Sequence, residues 1–377
     1  TTASPDKRPF SEKRFPMRPQ LPAPPRAPVN PMKKVTLQEI AKSLNISRTT
    51  VWKVFSGHDG VSDALRDRVL TRARELGYQF PEHMAGGTVP GVSSTSIALA
   101  VCRPETSIFW MKIIHQVAKE LSFLNVNLVY TYLPSAVDGD YVLPPSLTNG
   151  STQGMIVMNV YNEQLVRMLA SLSVPKVFLD TPTHIPASQL NGDLLLMESS
   201  DSVSRITEHL ILQGKKSFGF IGDIDYAKSN RERYDGFLNT LTRHHIPRDP
   251  SLFLTGAIGM DTHKEEIDAF LDTCPRMPDA FVCVSDYVAC ILIQLLNRRG
   301  YRVPEDVAVA GFDRNLEHPL AEDLTSVQVF NQDIGQRLAH QIVFRMKYPK
   351  TRYEITYVSS EPIFRAPTGD APDPTVA

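Results

Sequence analysis

The sequence predicts two structural classes in one chain: a small α-helical helix-turn-helix head, then an α/β body of two lobes built on parallel sheets. Three observations predict this. Residues 35–80 hold apolar side chains at helical spacing in three short, capped runs. From about residue 95, short apolar runs alternate with amphipathic helical stretches. That alternation continues for about 280 residues, more than one compact core accommodates, so the body divides.

The head begins with Thr36 and Glu39, a T-x-x-E capping box that opens a helix with Leu37, Ile40, Ala41 and Leu44 on one face. Asn45 stands at the turn, because Asn tolerates the left-handed conformation. Ser47 caps a second helix, which sends Val51, Val54 and Phe55 inward before the loop Ser56-Gly57-His58-Asp59-Gly60 breaks it. Ser62 caps a third helix with Leu65, Val69, Ala73 and Leu76 at spacings of three and four, and Gly77 stops it. Two short helices joined by a tight turn and braced by a third make the helix-turn-helix plan.

Candidate strands of the body are Ile97–Val101, Val126–Tyr132, Met155–Met158, Val177–Asp180, Phe218–Gly222, Ala280–Val284 and Val307–Phe312. Helical stretches between them include Trp110–Phe123, Ser202–Gln213, Arg231–His244 and Tyr287–Arg299. Such alternation implies parallel sheets with helices on both faces, and ligands in these folds bind beyond the carboxyl ends of the strands. Residues 1–31 hold nine of the 29 prolines and too little apolar surface to offset chain entropy. The expected organisation is a disordered Pro-rich tail (1–32), the head (33–80), a linker (81–94), the body (95–368) and a disordered C-terminus (369–377).

The net charge of −1 conceals an asymmetry. Residues 1–34 carry eight Lys/Arg against two Asp/Glu and residues 35–80 carry seven against five, which leaves −9 on residues 81–377. A basic front on an acidic body is expected where only the front meets nucleic acid. Cys102, Cys274, Cys283 and Cys290 form no CxxC pair and read as reduced thiols of a cytoplasmic protein, with no metal site. No apolar run is long enough to cross a membrane, and the N-terminus lacks a secretory signal. There is no G-x-S-x-G elbow, Walker A lysine loop or H-E-x-x-H, and Gly219-Phe220-Ile221-Gly222 is not a G-x-G-x-x-G fingerprint. The chain is therefore expected to be no enzyme and to need no cofactor.

The second helix of the head, Ser47-Arg48-Thr49-Thr50-Val51-Trp52-Lys53, turns its apolar residues inward and leaves Arg48, Thr49, Trp52 and Lys53 outward. Arg can pair with a guanine edge and Thr can meet a thymine methyl, while Ser47 and the helix N-terminus suit a phosphate oxygen. A three-helix protein-interaction module with solvated cations is the alternative.

The order of residues narrows this. The run VTLQEIAKSLNISRTTVWKVFSGHDGVSDALRDRVLTRARELGY (35–78) resembles the N-terminal domain of the LacI/GalR family of bacterial repressors. VPKVFLD (174–180), HLILQGKKSFGFIGD (209–223), RERYDGF (231–237), GYRVPEDVAVAGFD (300–313) and LTSVQVFNQDIG (324–335) follow in the family's order, so the resemblance spans roughly residues 33–366. It implies a homodimeric repressor that binds double-stranded operator DNA and a small-molecule, carbohydrate-like effector between two periplasmic-binding-protein-like lobes. The resemblance makes Arg48 and Thr49 operator-selecting and Lys53 a further contact. Trp52 departs from the small residue usual there, and is expected against the sugar-phosphate backbone or in the head's core.

In the linker the resemblance weakens. A hinge helix with a Leu wedge is expected, but Met84 is the only bulky apolar residue before Val89, and Gly86-Gly87 and Pro90 disfavour a helix. For the effector pocket the resemblance implies Asp180, Arg233, Asp286 and Asp313, with Phe109 and Trp110 as an aromatic face and Ser285 where many sugar-responsive members have Asn. Asp313 as a cap, Arg233 paired with Glu232 or Asp235, and Phe109 as core are the structural alternatives. Two competing functions stay open: control by a protein partner with a vestigial cleft, and a sugar-modifying body with a DNA-binding appendage.

Overall fold

The computed structural model describes residues 35–55, 61–76, 78, 95–102, 107–259, 261–314 and 319–369. The chain separates into two units, Thr1–Met84 and Ala85–Ala377. Met84, the Gly86-Gly87 linker, the predicted N-terminal tail and residues 370–377 of the predicted C-terminal tail lie outside the described residues.

In the first unit, α1 spans Leu37–Leu44, α2 Arg48–Phe55 and α3 Asp63–Glu75. The predicted capping box forms: the Thr36 N–H donates to Glu39 Oε2 at 2.8 Å, and the Glu39 N–H donates to Thr36 Oγ1 at 3.3 Å. Asn45 ends α1 at φ 56°, and its N–H reaches the carbonyls of Ala41 and Lys42. Ser47 Oγ then accepts from the Thr50 N–H at 3.0 Å, supplying one of the partners that the first turn of α2 lacks. Ile40, Ala41, Val51, Val54, Val69 and Ala73 are fully buried together. Two arginines of α3 tie the helices: Arg66 Nη1 donates to the Val54 carbonyl (3.1 Å) and Arg72 Nε to Ser43 Oγ (3.2 Å).

The second unit opens with β1 (Thr95–Cys102), α4 (Ile108–Phe123), β2 (Val126–Leu133), the one-turn α5 (Pro145–Thr148), β3 (Gly154–Met158), α6 (Glu163–Ser171), β4 (Lys176–Leu179) and β5 (Asp193–Met197). It continues with α7 (Ser200–Leu212), β6 (Phe218–Ile221), α8 (Lys228–Arg243), β7 (Phe253–Leu254), α9 (His263–Thr273), β8 (Ala280–Cys283), α10 (Asp286–Arg298) and β9 (Ala308–Ala310). The last elements are β10 (Ser326–Val329), α11 (Asn331–Lys347), β11 (Ile355–Val358) and β12 (Ser360–Ile363). The first lobe carries a six-stranded parallel sheet in the order β11-β5-β4-β3-β1-β2, and the second a four-stranded parallel sheet, β7-β6-β8-β9. The chain passes between lobes three times, after β5, after β10 and after β11, and antiparallel β10 and β12 pair beside these crossings.

All seven strands expected in the body are present. β5, β7, β10, β11 and β12 were not among them: β5 follows an irregular loop and opens on a charged residue, β7 has two residues, and β11 is half exposed. The inner strands β3, β6 and β8 are wholly apolar and buried, as expected where helices cover both faces of a sheet. Along β1, Ile97, Leu99 and Val101 face the core shared with α4 and α11, while Ala98, Ala100 and Cys102 face the core beneath α6.

One polar knot sits inside the first lobe. Arg345 on α11, 1% exposed at its side chain, meets Asp193 at the start of β5 through Nε (3.0 Å) and Nη2 (2.6 Å). Its remaining N–H groups reach Thr351 O, Thr351 Oγ1 and Arg352 O at 2.7–2.9 Å. Asp193 also accepts from Gln341 and from the Glu354 N–H. This knot pins the chain leading into β11.

Candidate nucleic-acid interface and ligand cavity

On α2 the outward face holds what the spacing predicts. Val51 and Val54 are buried, whereas Arg48, Thr49, Trp52 and Lys53 are exposed. Ser47 is exposed at the helix start, and the half-buried Thr50 shares a 2.8 Å hydroxyl hydrogen bond with it. Trp52 keeps 45% of its surface, so it does not fill the head's core, one of the two places expected for it. Two cations beside a hydroxyl-bearing N-terminus make a surface that can meet phosphates at its start and base edges along its length.

In the second unit, a cavity of about 710 Å³ opens between the lobes. Its walls come from the segments that follow β1, β2, β3, β6, β7, β8 and β9, which is the carboxyl end of both parallel sheets. Phe109, Trp110, Arg233, Ser285 and Asp313 line it, as expected. Phe109 and Trp110 meet edge to face, with ring centroids 5.1 Å apart. Ser285 caps α10 by accepting from the Val288 N–H at 3.3 Å, so its hydroxyl is shared between helix and cavity.

Arg233 and Asp313 form the charged element of the cavity. Arg233 Nη2 lies 3.3 Å from Asp313 Oδ1, Nη1 donates to the Val284 carbonyl at 2.5 Å, and the guanidinium lies 3.6 Å from the Phe312 ring centroid. Its Nε is buried without a hydrogen-bond partner. Burial pushes the Asp313 carboxyl up to about 6, against the pull of Arg233. Asp313 also sits at φ 99°, which a non-glycine residue adopts only under constraint. Gly222 also lines the cavity, and a side chain there would collide with Val284.

Two expected pocket residues do not line the cavity. Asp180 is buried behind it, accepting from the Thr181 N–H (2.8 Å), Ser229 N–H (3.3 Å), Ser229 Oγ (2.6 Å) and Tyr161 OH (3.2 Å). Burial raises its carboxyl above the usual range, with the Ser229 and Thr181 hydrogen bonds opposing. Since Asp180 follows β4 and Ser229 lies on α8, this contact joins the lobes beside the cavity. The Lys228 N–H to Thr181 carbonyl bond (2.8 Å) and the Thr183 hydroxyl to Ile224 carbonyl bond (3.0 Å) lie alongside. Asp286 turns away from the cavity, accepts from Ser326 Oγ at 2.7 Å, and packs where a side chain at Gly311 would otherwise stand.

The residue-by-residue reading did not find Asn159, Tyr161, Asn162, Tyr226, Asn230 or His263, all of which line the cavity. Tyr161 and Tyr226 approach to 4.5 Å between ring centroids, and His263 packs edge to face on Tyr287 at 5.4 Å. A signal was available: four of the six stand within five residues after a strand's carboxyl end. The cavity can therefore grip a ring between aromatic faces and present amides, hydroxyls and a charged pair to its substituents. Among the described residues no group of His, Cys, Asp and Glu is arranged to hold a metal, and no helix is long and apolar enough to cross a membrane.

A profile for bacterial regulatory proteins of the lacI family matches residues 36–80, and one for the periplasmic binding protein-like domain matches residues 207–368. Catabolite control protein A of Staphylococcus xylosus is 28% identical over 309 residues, covering 80% of this chain and 89% of its own. The HTH-type transcriptional regulator CelR of Thermobifida fusca is 27% identical over 320 residues, covering 83% and 92%. Among solved structures, a CelR–cellobiose complex matches with a TM-score of 0.63 at 23% identity, over 88% of this chain and 99% of that one. A Lac repressor dimer bound to operator and an anti-inducer matches at 0.62 and 20% identity, over 89% and 99%. These two likenesses speak for the fold. Head and body are thus matched in the same order along four-fifths of the chain, and the protein belongs to the lacI family of bacterial regulatory proteins, as a DNA-binding transcription regulator with a ligand-binding body.

Proposed function

We propose that the protein is a homodimeric repressor whose operator affinity is set by an uncharged, carbohydrate-like molecule bound between the lobes. One observation carries the effector reading. Arg233, with a buried and unpartnered Nε, stands beside Asp313 in an aromatic-walled cavity of about 710 Å³. Asp313 keeps 22% of its side chain exposed where it lines the cavity, so a ligand hydroxyl there can donate to its carboxylate. The charge of the walls favours a neutral ligand. Asp223, Asp261 and Asp313 line the cavity with a single guanidinium that is already paired, so a phosphate would meet more repulsion than attraction. Solved relatives agree in kind: a CelR complex holds cellobiose, and a LacI family regulator from Enterococcus faecium holds ribose.

Each protomer of the homodimer offers one α2, with Arg48, Thr49 and Lys53 toward bases and Ser47 and Thr50 toward phosphate, to one half of a near-palindromic site. Coupling requires that the effector bind the operator-competent and operator-incompetent states unequally. The test is a panel of sugars, sugar phosphates and nucleosides scored by release or capture of operator. A neutral sugar that shifts operator binding in the wild type and not in Arg233→Ala supports the reading. Operator binding that no panel member changes would overturn it in favour of a protein partner.

A further inference from the structure

We propose that Trp52 is a specificity-determining residue of the DNA-reading helix, recognising a thymine through its C5-methyl group. The inference rests on the assignment of α2 to base reading. Successive residues of a helix are turned by about 100°. The buried Val51 and Val54 set the inward direction of α2, and Thr49 then points almost directly outward. One turn further on, Trp52 and Lys53 flank that outward line, and Arg48 lies four residues before Trp52 on the same face. Trp52 is 45% exposed, and among the described residues it is not one of those packed on the head's core.

A large apolar side chain therefore projects from the reading face, beside its outward line, where a solvated helix carries polar groups. Its chemistry narrows the target. An indole carries no charge, so it adds nothing to the Coulomb attraction of Arg48 and Lys53 for phosphate, and its hydrogen bonding is limited to a single N–H donor. What it offers is a flat apolar surface, and the apolar group that base edges present in the major groove is the thymine methyl. The neighbouring cations anchor the helix, and Trp52 reads between them.

The experiment uses the full chain. Its preferred duplex is selected from a randomised pool, and each thymine is then replaced by deoxyuridine, which lacks only the methyl. At one thymine of each half-site, the wild type is expected to bind about three- to tenfold more weakly after replacement. Trp52→Ala should lose a similar factor on the thymine duplex and show no further loss on deoxyuridine. Trp52→Phe should keep most of the discrimination, and Thr49→Ala should keep the penalty at that position. If Trp52→Ala still separates thymine from deoxyuridine at every position, the proposal fails. It also fails if Trp52→Ala weakens all sequences alike and flattens the salt dependence, the pattern of a phosphate contact. Selection of no sequence would overturn the base-reading role of α2 itself. A Trp52→Gln variant with an unchanged melting profile keeps the result interpretable should the alanine variant unfold.

Discussion

Two buried arginine–aspartate pairs, one in each lobe, show how the same chemistry serves structure in one place and a site in another. Arg345 and Asp193 meet by two hydrogen bonds, and every other N–H of that guanidinium has a carbonyl or hydroxyl within 2.9 Å. Arg233 and Asp313 meet by one longer contact, at 3.3 Å, and leave Nε without a partner. The first pair is saturated and faces only protein. The second is incomplete and faces a cavity. A buried ion pair offsets its desolvation only when its remaining hydrogen-bonding capacity is met. An incomplete pair beside a cavity therefore holds binding energy in reserve for a ligand.

The largest expected effect lies in the saturated pair. Arg345→Ala should cost about 3–5 kcal/mol in denaturant unfolding of the body, because Asp193 would be left buried and charged. Arg233→Ala tests the other half of the contrast. Effector affinity by calorimetry should fall about a hundredfold, roughly 2.7 kcal/mol, while stability falls by only about 1–2 kcal/mol. The reason is that Asp313 keeps 22% side-chain exposure and can take up a proton. Equal stability losses in the two variants would break the distinction.

Acidity sharpens it. Asp313 has its carboxyl raised from 3.8 to about 6, so the folded body holds this proton more tightly than the unfolded chain. The sign follows: stability from this group is greatest at low pH and declines as pH rises from 3.8 to about 6. A ligand hydroxyl donating to the ionised carboxylate has the opposite dependence. Effector affinity should weaken by up to about tenfold per pH unit below about 6, and Asp313→Asn should remove that slope. The smallest effect belongs to Ser285→Asn. Asn is an equally good helix cap, so stability should move by less than about 0.5 kcal/mol. The ranking of sugars in the panel should change, since an amide adds a donor and an acceptor to the cavity wall.

In the head, the amino-acid order was nearly sufficient. Thr36, Asn45 and Ser47 act within four residues of their own positions, and the exposure of Arg48, Thr49, Trp52 and Lys53 follows from a single helical period. Seven of the twelve described body strands were legible for the same reason, whereas β5, β7, β10, β11 and β12 were not. The pocket was legible only in part. Four acidic or basic residues were expected in it, and two of them, Arg233 and Asp313, line it.

What the sequence by itself determined is everything that depends on near neighbours: the three short helices of the head with the caps of the first two, the reading face of α2, the alternation of faces along β1, and the alternating strand–helix order that makes parallel sheets. Only the tertiary structure decided which carboxylates reach the cavity. Asp180 and Asp313 both follow a strand closely and both adopt positive φ, 62° and 99°, yet one is turned into the contact with Ser229 and the other into the cavity. Arg233 finds Asp313 eighty residues away. The local pattern says where a strand ends, but not which way the next side chain faces. That direction is fixed by the partner that the other lobe brings to it.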